Sequence, residues 1–205
     1  MSINGDGCGV RALGIDPGVV RLGYALIDKG QDGDFALLES GVVALPQKPD
    51  EKFGDYRRRV SMYWWDEFPQ MYARLLPDTI ASETLPAKGS GNFINPATEA
   101  IKAAITVMQI SAYSAGCPPW TEIASSTVKK AVVGMASKPP KPGSKKRVKV
   151  SKVDMRNAVQ RVFPELKDRV WEKDLMADEI DAIGIALTAL GYKAPKMNKI
   201  ASPHV

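Results

Sequence analysis

Leu13-Gly14-Ile15-Asp16-Pro17-Gly18, running on through Val19 to Asp28, is the stretch that decides the fold. A short apolar run delivers a carboxylate to the end of a strand, and Pro17-Gly18 then turns the chain away. Asp16 therefore stands at a strand tip backed by rigid sheet, a good position for a metal ligand. Arg21-Leu22-Gly23-Tyr24-Ala25-Leu26-Ile27-Asp28 reads as a second strand after a tight turn, giving an antiparallel hairpin with the carboxylate near its bend.

Outward from this hairpin, a third strand is expected from about Phe35 to Leu45. Glu51 to Leu76 carries apolar residues at helical spacing (Phe53, Tyr56, Val60, Tyr63, Trp64, Phe68, Met71, Leu75), with Pro69 expected to kink or divide the helix. Asp78 to Glu83 reads as a short buried strand that again ends in a carboxylate, followed by a loop over Pro86 to Asn95. Pro96 to about Gly116 is helical and rich in small residues, which suits close approach of another helix. Pro118 to Ala124 makes a fifth strand. Ser125 or Ser126 is expected to cap a short helix that Gly134 stops. Ser151 and Asp154 have the spacing of a capping box for a helix to about Phe163, and Glu172 to Tyr192 forms the last helix. This order predicts an α/β protein with a mixed five-stranded sheet flanked by helices. The expected division is a loose arm over 1–9, one domain over 10–192 carrying a basic insertion at 137–151, and a loose tail over 193–205.

The 205 residues suffice for a full core without disulfide or metal staples. With 44% apolar and 25% charged residues and no run of 18 or more apolar ones, the composition is that of a soluble protein with no membrane association. The first ten residues lack the apolar stretch of a secretory signal, and Cys8 and Cys117 form no zinc or disulfide pattern. A cytoplasmic location, bacterial or in a phage-infected host, is the expectation. The net charge of +5 has a local origin. Lys138, Lys141, Lys145, Lys146, Arg147, Lys149 and Lys152 fall together with no acid among them, and the rest of the chain is slightly acidic. Such a basic segment on a near-neutral body points to a polyanion such as a nucleic-acid backbone.

In Ala177-Asp178-Glu179-Ile180-Asp181-Ala182, Asp178 and Asp181 project from one helix face, whereas Glu179 lies on another and is expected to be dispensable. Two carboxylates on the buried side of an apolar helix are costly unless cations neutralise them. With Asp16 and Glu83 they make an all-oxygen set that favours Mg²⁺ or Mn²⁺ over zinc. Two such ions about 3.5–4 Å apart can activate water and stabilise a leaving oxygen in phosphodiester cleavage. Taken singly, Asp178 is better explained as an N-cap or first-turn acid and Asp16 as a turn former, and the combination reverses that preference. His204 sits in the tail and offers no general base.

The chain resembles the RuvC family of Holliday junction resolvases, a branch of the ribonuclease H-like superfamily, from about Arg11 to Tyr192. The resemblance rests on Gly14-Ile15-Asp16-Pro17-Gly18 with Gly23-Tyr24, on Glu83 at a strand end, on Val128-Lys129-Lys130-Ala131-Val132-Val133-Gly134, and on Ala177 to Ala182. It implies that Asp16, Glu83, Asp178 and Asp181 bind metal and that Lys129 and Lys152 act in catalysis. It also implies Mg²⁺ as cofactor, with Mn²⁺ a substitute, and a homodimer that cuts four-way DNA junctions. The segment between the two lysines is lengthened here. Where the family carries a junction-wedging aromatic after the Glu83 strand, Thr84, Leu85 and Pro86 stand instead, with Phe93 as a substitute. These departures suggest a phage or mobile-element branch.

The expected DNA contacts are Lys88 and Phe93 in the loop, Lys130 on the short helix, and Lys141, Lys145, Lys146, Arg147 and Lys149 in the insertion. The small-residue helix over Pro96 to Gly116 is the expected dimer interface. Other readings are an RNA-processing or flap nuclease of the same fold and a non-catalytic branched-DNA-binding factor. A helicase partner is not assignable from these residues.

Overall fold

The computed structural model describes residues 9–18, 20–84, 96–138, 148–169 and 176–195. Five strands form one sheet: β1 (Val10–Pro17), β2 (Arg21–Lys29), β3 (Phe35–Ala44), β4 (Thr79–Glu83) and β5 (Trp120–Ile123). Their order across it is β3-β2-β1-β4-β5. The first three strands are antiparallel neighbours, while β4 lies parallel to β1 and β5 parallel to β4. The sheet is therefore mixed as expected, and the carboxyl ends of β1 and β4, bearing Asp16 and Glu83, lie at the same edge.

Strand periodicity sorts the side chains onto two layers. Leu13, Ile15, Leu22, Leu26 and Ile80 pack on α1 (Phe53–Leu75) and α2 (Pro96–Ser114). The alternate positions Ala12, Ala25, Ile27 and Ala81 pack beneath α3 (Ser125–Val133), α4 (Lys152–Val162) and α5 (Met176–Ala189). Asp16, Arg21 and Glu83 share the parity of this second set, so the alternation that builds the core also aims them at the α5 layer.

Close approach of α5 is what makes that aim useful. A Cβ at Gly14 would lie 2.2 Å from the Ala182 carbonyl oxygen, and one at Gly23 would lie 2.1 Å from that of Asp178. Any side chain at either position would lift the helix off the sheet, and its acids away from Asp16. The apolar run Ile180, Ile183, Ile185 and Leu187 is fully buried in this layer, which holds the helix down along its length.

Several expectations are corrected. Pro69 neither ends nor divides α1, which runs unbroken from Phe53 to Leu75. A proline leaves the carbonyl four residues earlier without its amide donor. Here that carbonyl belongs to Trp65, and the buried Ser111 hydroxyl of α2 donates to it at 2.9 Å. Neither Ser125 nor Ser126 caps α3; Ala124 holds that position without a side-chain bond, although Gly134 ends the helix in the left-handed region as expected.

The basic segment is not simply a loop, because its ends pair as a two-stranded antiparallel ribbon. Ser137 faces Lys149 and Lys138 faces Val148 across β6 (Ser137–Lys138) and β7 (Val148–Lys149). At the start of the expected tail, the Ala194 amide donates to the Ala131 carbonyl at 2.7 Å. Trp64 is buried as its spacing implies, whereas its neighbour Trp65 is exposed. The small residues of α2 fill the chain's own core: Ala100, Ala104, Ser111 and Ala112 are buried, so they are not available as an interface.

Candidate active site

Asp16, Glu83 and Asp181 line one cleft together with Lys129 and Lys152. Each arrives from a different element: the tips of β1 and β4, the second turn of α5, the middle of α3 and the first residue of α4. Val128 and Val132 bury the apolar face of α3 and leave Lys129 beside the cleft, where its ammonium donates to the Ser125 hydroxyl at 3.0 Å. Thus Ser125, expected to cap the helix, holds a catalytic candidate instead. The predicted capping box at α4 does form. The Ser151 hydroxyl accepts from the Asp154 amide at 3.2 Å, and the Asp154 carboxylate accepts from the Ser151 amide at 2.8 Å. Lys152 therefore begins a helix whose start is fixed.

Asp178 behaves differently from the other three acids. Its carboxylate is paired with the Arg21 guanidinium, Nε to Oδ2 at 3.0 Å, and it does not line the cleft with Lys129 and Lys152. It is still close enough to act on Asp16 electrostatically. Glu179 does point away from Asp181, but it is buried rather than solvated, with only 4% of its surface exposed. It accepts from the Ser40 hydroxyl and pairs with Arg169.

The acids strongly perturb one another. Burial, then repulsion from Asp181, Asp178 and Glu83, pushes the Asp16 carboxyl up to about 8, with Lys152 pulling the other way. Burial likewise lifts Asp181 to about 6, against the attraction of Lys152 and Lys129 and with repulsion from Glu83 and Asp178. Among the described residues, no three Asp, Glu, His or Cys side chains are already gathered closely enough to hold one ion. The donor set nevertheless suits a hard divalent cation, being wholly of carboxylate oxygens, partly desolvated and mutually repelling. Small side-chain rotations of Asp16, Glu83 and Asp181 about a shared cation would replace that repulsion with attraction.

Of the expected DNA contacts, Lys130 and Lys149 are exposed, on α3 and β7. Lys88, Phe93, Lys141, Lys145, Lys146 and Arg147 lie outside the described residues. Sequence reasoning missed Arg21 and the serine that holds Lys129. Arg21 was legible in part, since it shares the parity of Gly23 and Ala25 on a strand under α5.

No protein-family model matches the chain. A crossover junction endodeoxyribonuclease RuvC from Gloeobacter violaceus is 28% identical over 196 residues, 96% of each chain. Among solved structures, Thermus thermophilus RuvC superposes with a TM-score of 0.61 and 22% identity, covering 88% of this chain and 94% of its own. The same protein in complex with a Holliday junction substrate gives 0.61, 20%, 88% and 94%. The yeast mitochondrial Holliday junction resolvase gives 0.61 and 14% identity, covering 88% of this chain and 78% of its own. In architecture this is a ribonuclease H-like α/β protein with acids gathered at the carboxyl edge of its sheet. Within that class, the chain is similar over nearly its whole length to a member of the RuvC family of Holliday junction resolvases, the resemblance its motifs carry.

Proposed function

We propose that this protein is a divalent-metal-dependent endonuclease that cuts four-way or similarly branched DNA. The observation that carries the reading is the cleft in which Asp16, Glu83 and Asp181 face Lys129 and Lys152. Carboxylates alone would repel a phosphodiester. Carboxylates that hold cations, with two ammonium groups opposite, make a site for one. The similarity to a crossover junction endodeoxyribonuclease over nearly the whole chain supports branched DNA as the substrate.

In this reading Asp16, Glu83 and Asp181 hold Mg²⁺, for which Mn²⁺ can substitute. The cation supplies Lewis acidity and a water acidified toward neutrality. Asp16 and Asp181 must lose their protons to do this, which their elevated pKa values make dependent on pH. Lys129, held by Ser125, and Lys152, fixed at the start of α4, place positive charge where the attacked phosphate gains negative charge. Asp178, held by Arg21, completes the acidic wall and orients the attacking water. Lys130, Lys149 and the other basic residues of the insertion bind the DNA backbone, and Lys88 and Phe93 approach the branch point. Residues 10–192 then form the nuclease domain, working in the cytoplasm; no helix among the described residues is long and apolar enough to cross a membrane.

The test is cleavage of a synthetic four-way junction, with matched flap, duplex and RNA–DNA hybrid substrates, in Mg²⁺ and in EDTA. Paired nicks in the junction are expected in Mg²⁺ alone. Junction affinity should fall steeply with salt, by about 0.9 in log–log slope per phosphate contact. Preference for hybrid or flap, or cutting in EDTA, would defeat the reading.

Symmetric cutting needs two sites, and the described residues form one cleft lined by these acids and lysines, so the active form is a homodimer. Because the small residues of α2 are used internally, the interface moves to the outer side of the α1–α2 layer. There Met62, Trp65, Ile110 and Tyr113 are exposed, Tyr113 to 86%. A double Ile110→Glu, Tyr113→Glu protein should fold normally, sediment as a monomer and lose paired nicking. A double variant that remains a dimer would remove this face from consideration.

A further inference from the structure

We propose that Glu179 is a positioning residue for the acid cluster, working with Arg169 and Ser40 to fix the first turn of α5; the inference rests on the metal-dependent reading above. That turn carries Asp178 and leads directly into Asp181; both repel Asp16, and Glu83 repels Asp181. That repulsion pushes the start of α5 away from the strand tips. The apolar residues from Ile180 to Leu187 secure the body of the helix, and Met176 packs half-buried on the same core at its start. Polar anchors add to the hold on the first turn.

There are two anchors, and they lead to different strands. Asp178 is drawn toward β2 by Arg21. Glu179 is drawn toward β3, where the Ser40 hydroxyl donates to its Oε1 at 2.5 Å. The same oxygen is 2.7 Å from Nη1 of Arg169, which also donates to the Ser40 hydroxyl oxygen at 3.1 Å. Three groups distant in sequence therefore close a triangle: one in the third strand, one in the chain leading toward α5, one in the first turn of α5 itself. Glu179 has 5% of its side chain exposed, so its charge is compensated inside the protein and its geometry is narrowly set. A solvent-facing acid at this helix position would satisfy the helix dipole equally well. Burial with a bidentate-capable cation and a strand hydroxyl adds a fixed orientation of the turn, and hence of Asp181 against Asp16.

This reverses the expectation from sequence that Glu179 is dispensable. Glu179 touches neither the cleft nor a substrate position, so its effect should appear as divalent-ion affinity rather than as a loss of chemistry at saturation. Outer partners that orient metal ligands are typically worth about 10–100-fold in metal affinity. The experiment is titration calorimetry of the full chain with Mn²⁺, without DNA, on wild type, Glu179→Gln, Arg169→Gln, the double variant and Ser40→Ala. Junction cleavage is measured alongside as a function of Mg²⁺ concentration.

About a tenfold loss of Mn²⁺ affinity is expected for either single variant, with the double variant no worse than the weaker single one because the groups act as a unit. The Mg²⁺ midpoint for cleavage should move by the same factor, while the rate at saturating Mg²⁺ stays near wild type. Glu179→Asp, which keeps the charge on a shorter arm, should recover part of the affinity. Breaking a buried ion pair can unfold a protein. If Glu179→Gln does not fold, Ser40→Ala keeps the ion pair and should still weaken Mn²⁺ binding about twofold or more. Unchanged Mn²⁺ affinity in the folded variants overturns the inference. A wild type that takes up no Mn²⁺ overturns the metal reading itself, and this inference with it.

Discussion

Asp181→Asn should bind a four-way junction as well as wild type, or slightly better, and fail to cut it. The substitution keeps the shape of the side chain and removes the charge that attracts a cation. Asp181 lines the cleft directly, together with both lysines and the acids at the tips of β1 and β4. Loss of a ligand here removes the charge stabilisation that the transition state needs, and cleavage should fall by about a hundredfold or more. Affinity should hold because one fewer negative charge faces the phosphates. Asp16→Asn and Glu83→Gln should behave in the same way. Asp178→Asn should retain more activity, since Asp178 is engaged by Arg21 and lies outside the cleft lining. Cutting by Asp181→Asn at near wild-type rate in Mg²⁺ would remove the chemical basis of the proposed function.

The second large effect is on stability, and it has a sign that distinguishes this cleft from an ordinary surface cluster. Asp16 titrates at about 8 in the folded chain, against an ordinary value of 3.8, so the fold prefers its protonated form. Below about pH 4 both folded and unfolded chains hold the proton. Between about pH 4 and 8 the unfolded chain releases it while the folded chain keeps it, so stability falls as pH rises, by up to about 1.4 kcal/mol per pH unit for a single group. Asp181, at about 6, adds to the loss in the lower half of that window. Asp154, held down to about 2 by Lys138 and then Ser151, works in the opposite sense. Its contribution is fully present above its ordinary value and is lost only in stronger acid, so it cannot mask the trend.

Metal-free wild type should therefore melt several degrees lower at pH 8.5 than at pH 5.5. Asp16→Asn should flatten the profile and raise the melting temperature at pH 8.5, even though it abolishes cleavage. Mg²⁺ should stabilise wild type far more at pH 8.5 than at pH 5.5, because the carboxylates must give up their protons to bind it. A metal-free melting temperature that is flat across this range, or equal in wild type and Asp16→Asn, would contradict the repulsion described here.

Much of this was readable from local pattern. The β1–β2 hairpin announces itself by alternation and by Pro17-Gly18, and the two lone carboxylates at strand ends acquire meaning from their shared parity. Asp178 and Asp181 follow from helical spacing alone. The unread parts all depend on partners remote in sequence. The continuity of α1 through Pro69 needs Ser111, 46 residues from Trp65. The burial of Glu179 needs Ser40, 139 residues away. Ser125 looked like a helix cap because caps are the commonest use of serine before a helix. The structure uses its hydroxyl one turn onward, on Lys129, a choice that local propensity does not encode. Similarly, the alanines of α2 announce close packing but not the partner, which proves to be α1 of the same chain.

The ribbon formed by β6 and β7 separates two properties that evolution can then alter independently. Because Ser137 and Lys149 are direct partners, the chain leaves and rejoins the body at one place. Lys138 ties that place to the start of α4 through Asp154 at 2.7 Å. Residues added or removed between 139 and 147 leave both Lys129 and Lys152 where they are, and lengthening such a closed excursion costs only about 0.6 kcal/mol per doubling. A change of length or charge between 139 and 147 is thus decoupled from the placement of the cleft's two lysines.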